Sequence, residues 1–275
     1  MPATAAAIRP FASRADYDAC VRLQRETWGE DFVDVASATI LMVSQRVGGV
    51  SAGAFDADGR LLGFVFGISG IRDGELVHWS DMLAVRPEAR GTLKHFQREQ
   101  LLERGIRRML WTYDPLVARN ANLNLNSLGA RPVEFVADMY GDTRSALHAG
   151  LDTDRFIVEW RLDEAGPAGA GPATADGGTA PIVDAEWLRR EGPLPTDPQI
   201  RVAAPADIDG LKATDPACAR VWQQVQRRAF TWYLANGYRV SGFEHRRAPG
   251  DSHYLVTRTP ASAGGSPGSP ATDDR

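Results

Sequence analysis

Two titratable residues lie three apart in the apolar run Val77–Val85, His78 and Asp81, and either could serve as a general base. In a regular strand, alternation puts His78, Ser80, Met82 and Ala84 on one face and Trp79, Asp81 and Leu83 on the other. The two could therefore act as a dyad only across a bulge. Asn120 and Asn124 stand at i and i+4 in a helical stretch, so both amides can face one cavity and bind a polar substrate. Arg155, following Asp154 at the start of a strand, could clamp a carboxylate through two parallel hydrogen bonds, and Arg98 is a weaker candidate for the same task. Each has a plainer structural reading: a satisfied buried carboxylate for Asp81, a strand-end surface residue for His78, helix capping for Asn120 and a mutual pair for Asp154 with Arg155. Asp114 before Pro115 reads as an Asx-type turn. Cys20 and Cys218 have no His or Cys neighbours, which gives no context for a nucleophile, a zinc site or a disulfide framework.

The elements that must position these groups fall into two blocks. Residues 8–162 read as a helix from Asp16 to Trp28, a hairpin of Val47–Phe55 and Leu61–Ser69 around Asp56-Ala57-Asp58-Gly59, and the strand Val77–Val85. A helix Leu93–Arg104 stopped by Gly105, a strand Arg108–Thr112, a helix Val117–Leu128 stopped by Gly129, and strands near Pro132–Val136 and Arg155–Leu162 follow. Residues 163–199, opening on a Gly/Ala/Pro-rich stretch to 180, are expected to be a connector. Residues 200–258 read as β-α-β-β, with Val221, Trp222, Val225, Ala229, Trp232 and Tyr233 on one helical face and Asn236-Gly237 as its stop. Leu128-Gly129-Ala130-Arg131-Pro132-Val133 parallels Asn236-Gly237-Tyr238-Arg239-Val240, which suggests a half-fold repeat. The Ser/Gly/Pro-biased tail, 259–275, is expected to be disordered.

A formal charge of -4 with no basic stripe argues against a nucleic-acid partner, and no apolar run approaches membrane-spanning length. A small-molecule substrate, no membrane and no metal are the expectations, with a homodimer as the larger assembly to consider. The sparse cysteines and the absence of a signal-peptide pattern point to the cytoplasm.

The run Ser80-Asp81-Met82-Leu83-Ala84-Val85-Arg86-Pro87-Glu88-Ala89-Arg90-Gly91 resembles the fourth strand and cofactor loop of the GNAT acyltransferase superfamily. More specific likenesses to a bacterial branch of predicted GNAT acetyltransferases follow in Gln97-Arg98-Glu99, Trp111-Thr112-Tyr113-Asp114-Pro115-Leu116, Arg119-Asn120-Ala121 and Tyr140-Gly141, and in the second block from Ile200 to Tyr254. The resemblance implies an α/β fold with a mixed central sheet flanked by helices, and acyl-CoA-dependent acylation of a small amine, such as an amino acid, with acetyl-CoA or another acyl-CoA as donor. It places Leu83, Val85, Arg90, Gly91, Thr92 and Asn120 at the cofactor, and Glu26, Trp28, Asn124 and Arg155 at the substrate. Leu125 stands about where many such enzymes carry a tyrosine acid, leaving Tyr140 as the substitute. The chain departs from the pattern in its phosphate loop, where only Gly91 and Thr92 separate Arg90 from Leu93. The charges of Arg86, Arg90 and Lys94 could still hold a diphosphate; otherwise the scaffold has lost CoA and binds a small ligand or performs CoA-independent chemistry.

Overall fold

The computed structural model describes residues 6–86, 93–141, 150–164, 180–190, 192–245 and 252–259. The expected connector stretch 165–179, the tail beyond 259, the turn Ala248-Pro249-Gly250 and the proposed phosphate loop 87–92 all lie outside them.

The first block builds a seven-stranded mixed sheet in the order β1-β2-β3-β4-β5-β7-β6. Its strands are β1 (Ala7–Pro10), β2 (Val50–Phe55), β3 (Leu61–Arg72), β4 (Glu75–Val85), β5 (Arg108–Tyr113), β6 (Arg131–Val136) and β7 (Arg155–Arg161). Helices α1 (Arg14–Trp28), α2 (Ala38–Arg46), α3 (Leu93–Glu103) and α4 (Ala118–Ala121) flank it. Ser13 starts α1 with a capping box shared with Asp16, whose carboxylate also takes the Arg9 guanidinium at 2.7 Å. That pairing holds Asp16 down at about 2.

All neighbouring strands in this sheet run antiparallel except β4 and β5. That parallel pair is joined only at Val77↔Arg108, His78↔Met109 and Trp79↔Leu110. Beyond it, β4 continues to Val85 and β5 to Tyr113 without pairing to each other, so the sheet opens between them. The β3–β4 register skips one residue, pairing Phe66 with Met82 and Gly67 with Ser80, which makes Asp81 the bulged residue.

The second sheet runs β10-β11-β9-β8, from β8 (Ile182–Val183), β9 (Gln199–Ala204), β10 (Tyr238–Glu244) and β11 (Ser252–Arg258). Helices α5 (Ala185–Arg189), α6 (Ile208–Thr214) and α7 (Pro216–Ala235) accompany it. The strand β8 and helix α5 fall in the segment expected to be a connector. Its topology repeats half of the first sheet. A parallel pair, β8 with β9, is followed by a helix and an antiparallel hairpin whose second strand lies beside β9, as β4, β5, α4, β6 and β7 are arranged. Gly129 and Gly237 both take positive φ, 73° and 77°, where each helix turns into its hairpin.

The two blocks share one apolar core. Trp111, Phe156 and Trp160 from the first sheet join Val202, Phe230, Tyr233 and Tyr254 from the second block in a single buried cluster. Phe230 lies 4.6 Å from Phe156 and 5.2 Å from Tyr254 between ring centroids. The Tyr254 hydroxyl donates to the Pro115 carbonyl at 2.8 Å, just after β5. The second block thus buries the back of the element that carries one wall of the opening.

Candidate functional site

The opening between β4 and β5 is a cleft of about 600 Å³. Ser80, Asp81, Met82 and Leu83 form one wall in unbroken succession, because the bulge at Asp81 cancels the alternation that would have sent every second residue away. Trp111, Thr112 and Tyr113 of β5 form the other. Trp28 and Asp34 also line the cleft, as do Tyr140, which follows β6, and Arg155, which opens β7.

The helix expected over 117–128 is α4 for one turn and then a π-helical stretch, Asn122–Ser127. Asn120 and Asn124 both line the cleft, as their spacing suggested, but Asn124 is buried and its side-chain oxygen accepts the Trp111 indole N–H at 3.1 Å. Asn126 ties the wide turn to the second block by donating to the Phe243 carbonyl at 2.9 Å. A π turn of this kind is a common feature of functional sites and was not visible in an apolar periodicity set at 3.6 residues.

Asp81 is open to the cleft, yet the walls strip enough hydration to push its carboxyl above the usual carboxylate range; the Trp79 side chain opposes this by hydrogen bonding and the Asp34 charge adds to it. Tyr140 shares a hydrogen bond with Thr112 Oγ1 at 2.9 Å, and the Arg155 guanidinium lies 5.6 Å from its ring centroid. Desolvation holds the phenol above its ordinary value, so it is protonated at neutral pH. Arg155 also donates to the Asp154 carbonyl at 2.8 Å. Trp28 packs edge-on against Phe64 and lines the cleft, and Leu83 lines it too.

Several expected site residues stand elsewhere. His78 is fully buried away from the cleft, with Nε2 on the Gln97 amide at 2.9 Å and Nδ1 on Ser69 Oγ at 2.9 Å. Burial drives its pKa down to about 3, with the Lys94 and Arg104 charges adding, so it is a neutral structural histidine and not a base facing substrate. Glu26 is ion-paired with Arg86 outside the cleft. Arg86, one of the three cations expected to hold a diphosphate, is therefore already partnered. Val85 pairs with Gly63 and packs against the core, and it does not line the cleft. Arg90, Gly91 and Thr92 lie outside the described residues. Arg98 donates to the Leu162 carbonyl at 2.8 Å and is not in the cleft wall, while Asp114 accepts from the Leu116 amide at 2.9 Å in the expected Asx turn.

Sequence reasoning undervalued Lys94. Expected in a helix as one of three charges for a diphosphate, it lines the cleft as the second residue of α3, with Nζ 2.7 Å from Ser80 Oγ and 4.2 Å from the Trp111 ring centroid. Desolvation lowers its pKa to about 7. Among the described residues no carboxylate lies within 4 Å of it, and no cluster of His, Cys, Asp and Glu forms a metal site. No described helix is long and apolar enough to cross a membrane.

No protein-family model matches the chain, and a search of curated proteins returns no match. Among solved structures, the chain is similar to an aminoglycoside 6'-acetyltransferase of type Ii, at 19% identity over 58% of this chain and 99% of that one, with a TM-score of 0.44. It is also similar to an aminoglycoside 6'-N-acetyltransferase from Enterococcus faecium (17% identity, 58% and 98%, TM-score 0.42). A third is a GNAT superfamily phosphinothricin acetyltransferase from Sinorhizobium meliloti in complex with acetyl-CoA (16%, 62% and 98%, TM-score 0.43). In its own strand order, and in the divergence of β4 from β5 around the bulged Asp81, the fold is GNAT-like.

Proposed function

We propose that the chain is an acyl-CoA-dependent N-acyltransferase acting on a small amine, an amino acid being the class of acceptor favoured. The observation that carries this reading is the parting of β4 from β5. One edge of β4 is spent on β3, while the edge facing β5 has no strand partner beyond Trp79 among the described residues. Unpaired backbone amides and carbonyls of this kind accept an extended, amide-bearing chain as an extra strand. The pantetheine arm of CoA is such a chain, and Leu83, Asn120 and the β4 edge are the residues that would hold it. Bound there, an acyl-CoA supplies a thioester as the activated acyl group.

The residues of the cleft divide the remaining work. Asp81, made more basic by its walls and by Asp34, accepts the proton of the incoming ammonium. Tyr140, protonated and steadied by Thr112, is the group placed to donate a proton to the departing sulfur. Arg155 presents positive charge to an acceptor carboxylate, and Trp28 with Phe32 gives the amine an apolar wall. The test is loss of thioester absorbance from acetyl-CoA with a panel of amino acids and other small amines, for the native protein and D81N. The reading expects turnover with at least one amine and a fall of about 10²-fold or more in kcat for D81N. Turnover in D81N at the native rate would remove Asp81 from the role.

One observation favours a second reading, a scaffold that binds a small ligand without CoA. Of the three cations expected to hold a diphosphate, Arg86 is paired with Glu26 and Lys94 points its amine into the cleft. Titration with CoA separates the two readings.

A further inference from the structure

We propose that the ammonium of Lys94 is an anion subsite of the cleft, which takes a carboxylate borne by the bound ligand. The geometry of its surroundings carries the inference. Among the described residues, the partners of Nζ are all acceptors: Ser80 Oγ at 2.7 Å, the face of Trp111 at 4.2 Å, and the weak acceptor Met109 Sδ at 4.0 Å.

The role of Ser80 is fixed by a chain of hydrogen bonds behind it. Gln97 Nε2 can only donate, so His78 Nε2 accepts at 2.9 Å, and the neutral ring carries its proton on Nδ1. Nδ1 then donates to Ser69 Oγ at 2.9 Å, and Ser69 donates to the Gly48 carbonyl at 2.9 Å. On the other side, the Ser80 hydroxyl donates to Gln97 Oε1 at 2.9 Å, so toward Lys94 it can only accept. Three buried polar residues, Ser80, Gln97 and His78, are thus committed to presenting one acceptor to one amine. An ammonium has three N–H donors, and this arrangement leaves donor capacity facing the cleft.

The described residues supply no counter-ion. The carboxylates that face the cleft are Asp34 and Asp81, and among the described residues neither is within 4 Å of Nζ. The positive end of α3 also favours an anion beside its second residue and disfavours an uncompensated ammonium. A ligand carboxylate would provide the missing charge, whereas a dianionic group such as a phosphate monoester would meet stronger repulsion from Asp34 and Asp81. Because burial leaves Lys94 near half-charged at neutral pH, occupancy of the subsite draws in a proton. Carboxylate affinity then falls as pH rises above neutrality, by about tenfold in all for each unit by which the ligand raises the Lys94 midpoint.

The test uses the fact that Lys94 and Lys212 are the chain's only lysines. Protein labelled with ¹³C-lysine gives two side-chain Cε signals, and K212R assigns them. Each is titrated with pH alone and with propionate or alanine, using propionamide and alaninamide as uncharged controls at matched ionic strength. The proposal expects Lys94 to titrate near pH 7, and its midpoint to rise by about one unit or more with at least one carboxylate and not with its amide. A response to propionate places the carboxylate on an acyl-like chain, and a response to alanine alone places it on the amine substrate. A Lys94 midpoint near that of an exposed lysine, or one that neither carboxylate moves, overturns the proposal. The readout needs no turnover, so it stands apart from the success or failure of the acyltransferase assay.

Discussion

Arg227 on α7 reaches across from the second block to the segment that enters β7, and its replacement by methionine makes the sharpest stability prediction. Its guanidinium holds Asp154 with both nitrogens of one edge, Nε at 2.9 Å, and holds Asp152 at 2.8 Å. Asp154 is 3% exposed and also accepts the Asp138 amide at 2.9 Å. Asp138 in turn accepts from the Thr153 amide at 3.1 Å, and Thr153 Oγ1 accepts the Tyr140 amide at 2.8 Å. Removing one partner of a buried ion pair costs about 3–5 kcal/mol, because the other charge is left without compensation. The Arg227 side chain is 34% exposed, so part of that loss is recovered by water, and R227M should cost about 2–3 kcal/mol. In a protein of this size that is about 4–6 °C in Tm. Urea unfolding of R227M, D154N and the double variant at pH 7 measures the coupling. We expect the double variant to be more stable than the sum of the singles predicts, by about 1.5 kcal/mol or more. Amide exchange at Tyr140 should also quicken in R227M. Strictly additive losses, or a Tyr140 amide that exchanges as before, would refute the idea that the second block braces the cleft.

The remaining predictions follow from burial and titration. Lys94 binds its proton more weakly folded than unfolded, so the native chain should gain stability as pH rises from about 7 to 9.5, by on the order of 1.4 kcal/mol per unit at most, and K94M should lose this gain. His78 is depressed to about 3, so the unfolded chain binds its proton first; stability should fall as pH drops below about 6.5, and urea midpoints of H78Q should show a shallower acid slope between pH 6 and 4. Cys20 is fully buried and its thiol is raised to about 12, whereas Cys218 is half-buried; a thiol reagent should modify Cys218 in the native protein and Cys20 only on unfolding.

Much of the fold was legible because it is local. The Asp56–Gly59 turn, the stops at Gly105, Gly129 and Gly237, and the apolar face of α7 each announce themselves within a few residues. The helix-stop glycines also suggested a half-fold repeat, and β10 pairs with β11 and β11 with β9 in the same antiparallel sense as β6 with β7 and β7 with β5. Elements defined by their neighbours were missed. The four-residue edge strand β1 and the two-residue β8 exist through pairing with β2 and β9, and α2 has the weakly apolar sequence ATILMVSQR whose buried side is only Ala38, Leu41 and Ser44. The site divides in the same way. Asp81, Leu83, Asn120, Asn124, Trp28, Tyr140 and Arg155 were named and line one cleft. What alternation could not reveal was the bulge, since a register shift belongs to the β3–β4 pair and not to either strand. Lys94 was concealed for a related reason: its depth depends on Ser80 and Trp111, brought to it by two different strands.

The central claim is that the unpaired edge of β4 receives the pantetheine chain, and amide hydrogen exchange over residues 80–85 with and without acetyl-CoA tests it most directly. The account predicts that saturating acetyl-CoA slows exchange along that edge and leaves the β10–β11 hairpin unchanged. Unaltered exchange at 80–85 in the presence of millimolar acetyl-CoA would contradict it.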